Sequence, residues 1–139
     1  MIGNYSSGIR LTSDITNAPA AVGPYSQLAI VGEWYFLSGQ LPLDPATGEL
    51  VDGGIEAQTG QVFNNIEAVL RGAGLRLSDV VRCSVYMTNM DDFPAMNAIY
   101  AKRFSGHKPA RETIGVQALA VGAPIEITVI AYKRKEEGG

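Results

Sequence analysis

The chain has 139 residues, which suits one domain around a single hydrophobic core. Hydrophobic residues make up 46% and charged residues 18%, a balance that excludes a disordered chain. A net charge of -3 argues against nucleic acid as the main partner, and one cysteine with one histidine excludes an intrachain disulfide, a cysteine zinc site and a histidine metal centre.

No apolar run reaches the ~18 residues of a membrane span. The start, MIGNYSSGIRLTSD, lacks the charged-then-apolar order of a secretory signal. The expectation is a cytoplasmic protein with no membrane partner, no metal and no organic cofactor. Residues 1–16 read as a loose leader, residues 17–133 as one domain and residues 134–139 as a tail. Lys133, Arg134 and Lys135 are followed at once by Glu136 and Glu137, the pattern of a solvated end.

In chain order, "QLAIV" (27–31), Gly32-Glu33 and "WYFLS" (34–38) predict a hairpin with a two-residue turn. "PLDPATGELV" (42–51) carries Asp44, Pro45 and Gly48 and predicts a loop. From Ile55 the apolar positions Ile55, Thr59, Val62, Phe63, Ile66, Val69, Leu70 and Ala73 recur at helical spacing, with Gly72 and Gly74 to end the helix. "DVVRCSVYMT" (79–88) alternates as a strand with Val81, Cys83, Val85 and Met87 on one face. Asn89, Asp91 and Asp92 offer caps for a second helix over 93–105, whose stripe is Phe93, Met96, Ile99, Tyr100 and Phe104. "RETIGVQAL" (111–119) and "IEITVIAYK" (125–133) predict two further strands around a turn at Gly122 and Pro124.

The order is β-β-α-β-α-β-β, a two-layer α+β domain with both helices on one face of a mixed sheet. The opposite sheet face then needs a cover, because Ile114, Val116, Ile125, Ile127, Val129 and their neighbours cannot all point at two helices. A closed symmetric oligomer is the economical cover.

Several residues invite a chemical reading. Arg111 starts a strand after Pro109-Ala110 and shares a face with Thr113; it is either a surface arginine or a planar fork for a carboxylate. Glu126 alternates against Ile125 and Ile127, which suits a solvated residue, yet Ile130 lies on its own face, which suits a general base in a covered site. Tyr25, behind Pro19, Gly23 and Pro24, reads as a packing residue at a rigid turn with its hydroxyl at the edge. Gly39 after Ser38 is a tight strand exit or a place where backbone approaches a ligand closely. Cys83 faces with valines and reads as core. Ser38 or Ser84 as a nucleophile needs a histidine base, and the sole His107 sits in a polar Gly106-His107-Lys108 loop.

The segments "NAPAAVGPYSQ" (17–27), "SGQLPLDPATGEL" (38–50), "AVLRGAGLRLSDVVRCSVYMTNMDDFPAMNAIY" (68–100), "KPARETIGVQAL" (108–119) and "IEITVIA" (125–131) resemble, in this order, the signatures of the Rid (YjgF) family of reactive imine/enamine deaminases. The resemblance implies a chorismate-mutase-like homotrimer with clefts between subunits. It implies that Arg111 binds a substrate carboxylate, that Glu126 positions or activates water, and that Tyr25, Ser38, Gly39 and Asn97 line the cleft. Many members carry cysteine where this chain has Thr113, which bears on substrate preference. The implied substrates are 2-aminoacrylate and 2-aminocrotonate in their imine forms, released by pyridoxal-phosphate dehydratases and hydrolysed to 2-oxo acids and ammonia. The alternatives weighed against this are a ribonuclease or translation inhibitor, a 2-aminomuconate-type deaminase and a non-catalytic metabolite binder.

Overall fold

Strict alternation in the last strand shows how the sheet is dressed. Ile125, Ile127, Val129 and Ala131 are buried, while Glu126, Thr128, Ile130 and Tyr132 between them are half-buried. The structure, a computed structural model, describes residues 2–4 and 8–135. Its strands are β1 (Ile2–Asn4), β2 (Ile9–Thr12), β3 (Leu28–Val31), β4 (Trp34–Leu37), β5 (Val80–Met87), β6 (Ala110–Gly115) and β7 (Ile125–Tyr132), with helices α1 (Gly54–Gly72) and α2 (Phe93–Arg103). They form one mixed sheet in the order β1-β2-β3-β4-β7-β5-β6, where β5 and β6 run parallel and the other neighbours antiparallel.

Helix α1 ends where its sequence says it should. Gly74 adopts φ 78, and the Leu75 and Gly74 amides donate back to the Leu70 and Arg71 carbonyls at 2.8 and 3.0 Å, a Schellman closure. Its buried face, including Val62, Phe63, Ile66, Val69 and Leu70, packs on β3, β4, β5 and β7 through the shared core. Phe63 meets Tyr100 and Phe104 of the α2 side edge-on, with centroids 5.7 and 5.5 Å away. Arg103 ties the two helices together through Glu67 at 2.7 Å and Asn64 at 2.8 Å. The α+β architecture with two helices on one face is therefore as the sequence predicts.

Four expectations change in detail. The leader contributes two strands: Ile9–Thr12 pairs with β3, and Ile2–Asn4 pairs with β2, with Met1 and residues 5–7 outside the described residues. Alternation in so short a run places Ile9 and Leu11 opposite Val31 and Ala29, on the face away from the helices, so no core periodicity marks it. The alternation in β7 also corrects the coverage argument. Ile125, Ile127 and Val129 do point at the helices; the uncovered face instead carries Ile9, Val31, Trp34, Phe36 and Ile114, all exposed. In β5 the register shifts between Val80 and Arg82, so Val80 is buried and Val81 is exposed. Strand β6 stops at Gly115; Val116 adds a single backbone bond to Met87 at 2.8 Å, and the chain then turns through Ala120–Gly122. Of the expected tail, residues 136–139 lie outside the described residues.

Candidate active site

Arg111 pairs in register with Cys83, whose side chain is buried under the helices, so the arginine projects toward the α2 side of the sheet. There its Nη1 donates to Asn97 Oδ1 at 2.6 Å. The guanidinium carbon sits 4.7 Å from the Tyr100 ring centroid and 5.5 Å from that of Phe93. Among the described residues no carboxylate pairs with it. It opens into a cavity of about 290 Å³ lined by Asn97, Tyr100, Ala101, Phe104, Lys108 and Pro109. Thr113, two residues on, shares the face of Arg111, and its buried hydroxyl has no hydrogen-bond partner among the described residues.

Glu126 pairs in register with Tyr86, one of the residues facing away from the helices. Burial pushes its carboxyl above its ordinary value of 4.5. The reason is local packing. The Gln40 and Ile127 backbones bond to each other at 2.8 and 3.1 Å, which lays Gly39 against β7. A Cβ on Gly39 would overlap a Glu126 carboxylate oxygen and lie 2.9 Å from its Cδ and 3.0 Å from Thr128 Oγ1, so a larger residue there would make the Glu126 carboxylate shift. Gly39 lines a second cavity of about 370 Å³ with Tyr25, Val22, Leu41, Leu43 and Val121. Tyr25 is 50% exposed, and its ring folds back over Gly23.

The sequence-predicted residues thus fall into two groups. Arg111, Asn97 and Thr113 gather at the α2 face; Tyr25, Gly39 and Glu126 gather at the opposite face. Register makes the separation unavoidable, since Cys83 and Tyr86 lie on opposite faces of β5 and carry Arg111 and Glu126 with them. Ser38 belongs to the second group in a supporting position: its hydroxyl donates to the Ser26 carbonyl at 2.5 Å and so holds the segment behind Tyr25.

Two residues set aside from the chemistry are fixed in place. His107 Nε2 is 2.7 Å from the Val80 carbonyl, which can only accept, so that nitrogen carries the proton and is occupied. Cys83 is buried, and burial pushes its thiol up to about 11, leaving it un-ionised at neutral pH. The sequence reading missed Phe93 and Tyr100 as partners of Arg111, having placed them in the apolar stripe of the helix. The signal was present: Phe93, Asn97 and Tyr100 stand at i, i+4 and i+7, a polar residue set into an aromatic face.

Fold and geometry define a small two-layer α+β protein with a cationic cluster around Arg111 and a carboxylate cluster around Glu126 on opposite sheet faces. The chain belongs to the Rid (YjgF) family, matching the family described as Endoribonuclease L-PSP over residues 15–133. A RutC family protein of Pyrococcus horikoshii is 49% identical over 117 residues, covering 84% of this chain and 93% of its own length. The 2-iminobutanoate/2-iminopropanoate deaminase of Mus musculus is 42% identical over 128 residues, covering 92% of this chain and 95% of its own. The crystal structure of Escherichia coli TdcF with bound serine superposes with a TM-score of 0.84 at 32% identity, covering 88% of this chain and 98% of that one.

Proposed function

We propose that this protein hydrolyses reactive 2-imino acids, such as the imine forms of 2-aminoacrylate and 2-aminocrotonate, to 2-oxo acids and ammonia. The working site is composed from two subunits of a homotrimer. One chain supplies Arg111, Asn97 and Thr113, and its neighbour supplies Tyr25, Ser38, Gly39 and Glu126. The observation that carries this reading is the Arg111 guanidinium: held by Asn97, unpaired with any carboxylate among the described residues, and open to a cavity. A fork left free in this way fits a small carboxylate in two parallel hydrogen bonds. The mouse deaminase and the serine-bound structure, similar along nearly the whole chain, support a small amino- or imino-acid ligand.

The chemistry asks little of the protein. The C2 carbon of a protonated imine is already electrophilic, so orientation and proton transfer suffice. Arg111 fixes the carboxylate and thereby C2. Glu126 takes a proton from water as its oxygen bonds to C2, giving a carbinolamine. Glu126 then passes its proton to the nitrogen, the C–N bond breaks, and ammonia leaves as Glu126 takes the hydroxyl proton and the C2 oxygen becomes a carbonyl. A carboxyl raised above its ordinary value is a better base for this step than a fully solvated one. RNA cleavage by paired histidines has no counterpart here, since the sole His107 is committed to Val80.

The test is a coupled assay. A threonine or serine dehydratase generates the imine in situ, and appearance of 2-oxo acid is followed with and without this protein. Acceleration that is lost in Arg111→Ala supports the reading. An unaltered rate at stoichiometric protein, with 2-oxobutyrate still binding, would instead make the protein a metabolite binder.

A further inference from the structure

An exposed arginine has four rotatable side-chain bonds, and a guanidinium that must meet a carboxylate in one plane loses affinity if it wanders. Asn97 alone cannot prevent this, because a single hydrogen bond to Nη1 still permits rotation about that contact. The plane of the fork therefore needs a second restraint, and the ring of Tyr100 is placed to give it. It lies 4.7 Å from the guanidinium carbon, with the ring of Phe93 farther off at 5.5 Å. Tyr100 is itself immobile. It is only 8% exposed, set against Phe63 at 5.7 Å and Phe104 at 5.0 Å in the core between the helices. Its buried hydroxyl lies beside the Cys83 thiol, near enough for each to affect the other's ionisation. The hydroxyl is thus turned to Cys83, and what Tyr100 offers Arg111 is the face of its ring.

We propose that Tyr100 is a positioning residue for the carboxylate site: its ring face, fixed in the core, sets the plane of the Arg111 guanidinium so that the edge not used by Asn97 is presented to substrate. This rests on the carboxylate-binding role assigned to Arg111 above. Cation–π attraction to a partly desolvated ring supplies the restraint, and a leucine at the same position fills space without supplying it. Phe93 closes the arrangement from the start of α2, so one helix face, i, i+4, i+7, carries all three groups that hold the arginine.

The experiment measures 2-oxobutyrate binding by calorimetry for wild type, Tyr100→Phe, Tyr100→Leu, Phe93→Leu and Arg111→Ala, with the melting midpoint of each. Tyr100→Leu is expected to weaken binding on the order of tenfold, and Tyr100→Phe to recover most of that loss. Tyr100→Phe keeps the ring and removes only the hydroxyl's contact with Cys83, so its melting midpoint should stay close to that of wild type. The ring-current-shifted Arg111 Nε–H resonance should persist in Tyr100→Phe and revert in Tyr100→Leu, a change that a purely structural role does not require. Should Tyr100→Leu fail to fold, Phe93→Leu decides, with an expected loss of about threefold from removing the more distant ring. Wild-type affinity in every folded Leu variant, or a loss in Tyr100→Phe as large as in Tyr100→Leu, overturns the positioning role alone. Wild-type affinity in Arg111→Ala overturns the carboxylate-binding role and the positioning role together.

Discussion

Arg111 and Lys108 both border one cavity, yet they are not equivalent donors. A guanidinium offers a planar fork, whereas an ammonium offers a point charge. Arg111→Lys is therefore expected to cost on the order of a hundredfold in kcat/KM, measured in the coupled dehydratase assay. Near-wild-type turnover would show that charge alone suffices. Glu126 gives a second expectation. Its folded carboxyl holds a proton to higher pH than the ordinary value of 4.5, so the activity limb at acid pH should lie above that value and should vanish in Glu126→Gln. The linked stability effect has a definite sign. Between the unfolded and folded values the folded chain binds more protons, so the group's contribution is fully present below the unfolded value and is lost as pH rises through the folded one. Glu126→Gln should accordingly remove that part of the fall in stability with rising pH, as seen in denaturant unfolding at several pH values.

At the scale of elements, one buried amide ties the loop after β4 to helix α1. Asn65 of α1 donates to the Leu41 carbonyl at 3.0 Å and the Leu43 carbonyl at 2.9 Å, and receives Gln61 at 2.9 Å. Leu41 and Leu43 line the cavity beside Gly39, so the helix holds one wall of the carboxylate-bearing site. Asn65→Ala leaves those carbonyls without a partner and should cost about 1–3 kcal/mol in denaturant unfolding at fixed protein concentration, with turnover reduced as the wall loosens. Unchanged stability would mean water replaces the amide freely. Asn65 also marks what the sequence could and could not reveal. Helices and core strands were legible because their apolar positions repeat at 3.6 or 2 residues. A buried asparagine looks like a surface residue until its partners, some twenty residues away, are in place. Strand β2 was illegible for a related reason: its apolar residues face away from the core. The two faces of β7 were legible in the alternation of Glu126 against Ile125 and Ile127; what was misjudged was whether two helices could cover Ile125, Ile127 and Val129 together. Arg111 and Glu126 were legible as candidates largely through resemblance, whereas the aromatic setting of Arg111 was hidden inside an ordinary helical stripe.

At the scale of the molecule, one face of the sheet presents Ile9, Val31, Trp34, Phe36 and Ile114 to solvent, with Ile130 and Tyr132 among them. Contiguous apolar area of this kind on a single chain calls for a partner surface. Trimer formation by these faces would bury it and would bring each carboxylate face toward a neighbour. A charge placed there should prevent it: Phe36→Asp is expected to give folded, inactive monomers by sedimentation, with wild type melting higher as protein concentration rises. An active Phe36→Asp monomer would remove the basis for a shared site.

The central claim is that Arg111 and Glu126 act on one substrate although a single chain holds them on opposite faces. Mixing is the direct test. Arg111→Ala and Glu126→Gln proteins are each nearly inactive alone; they are denatured, refolded together in equal amounts and assayed with the coupled dehydratase. A composed site is intact only when its arginine comes from a Glu126→Gln chain and its glutamate from an Arg111→Ala chain. Random assembly makes each condition true half the time, so about a quarter of wild-type activity should return. Co-refolded mixtures that form trimers but remain as inactive as the separate variants would contradict the claim.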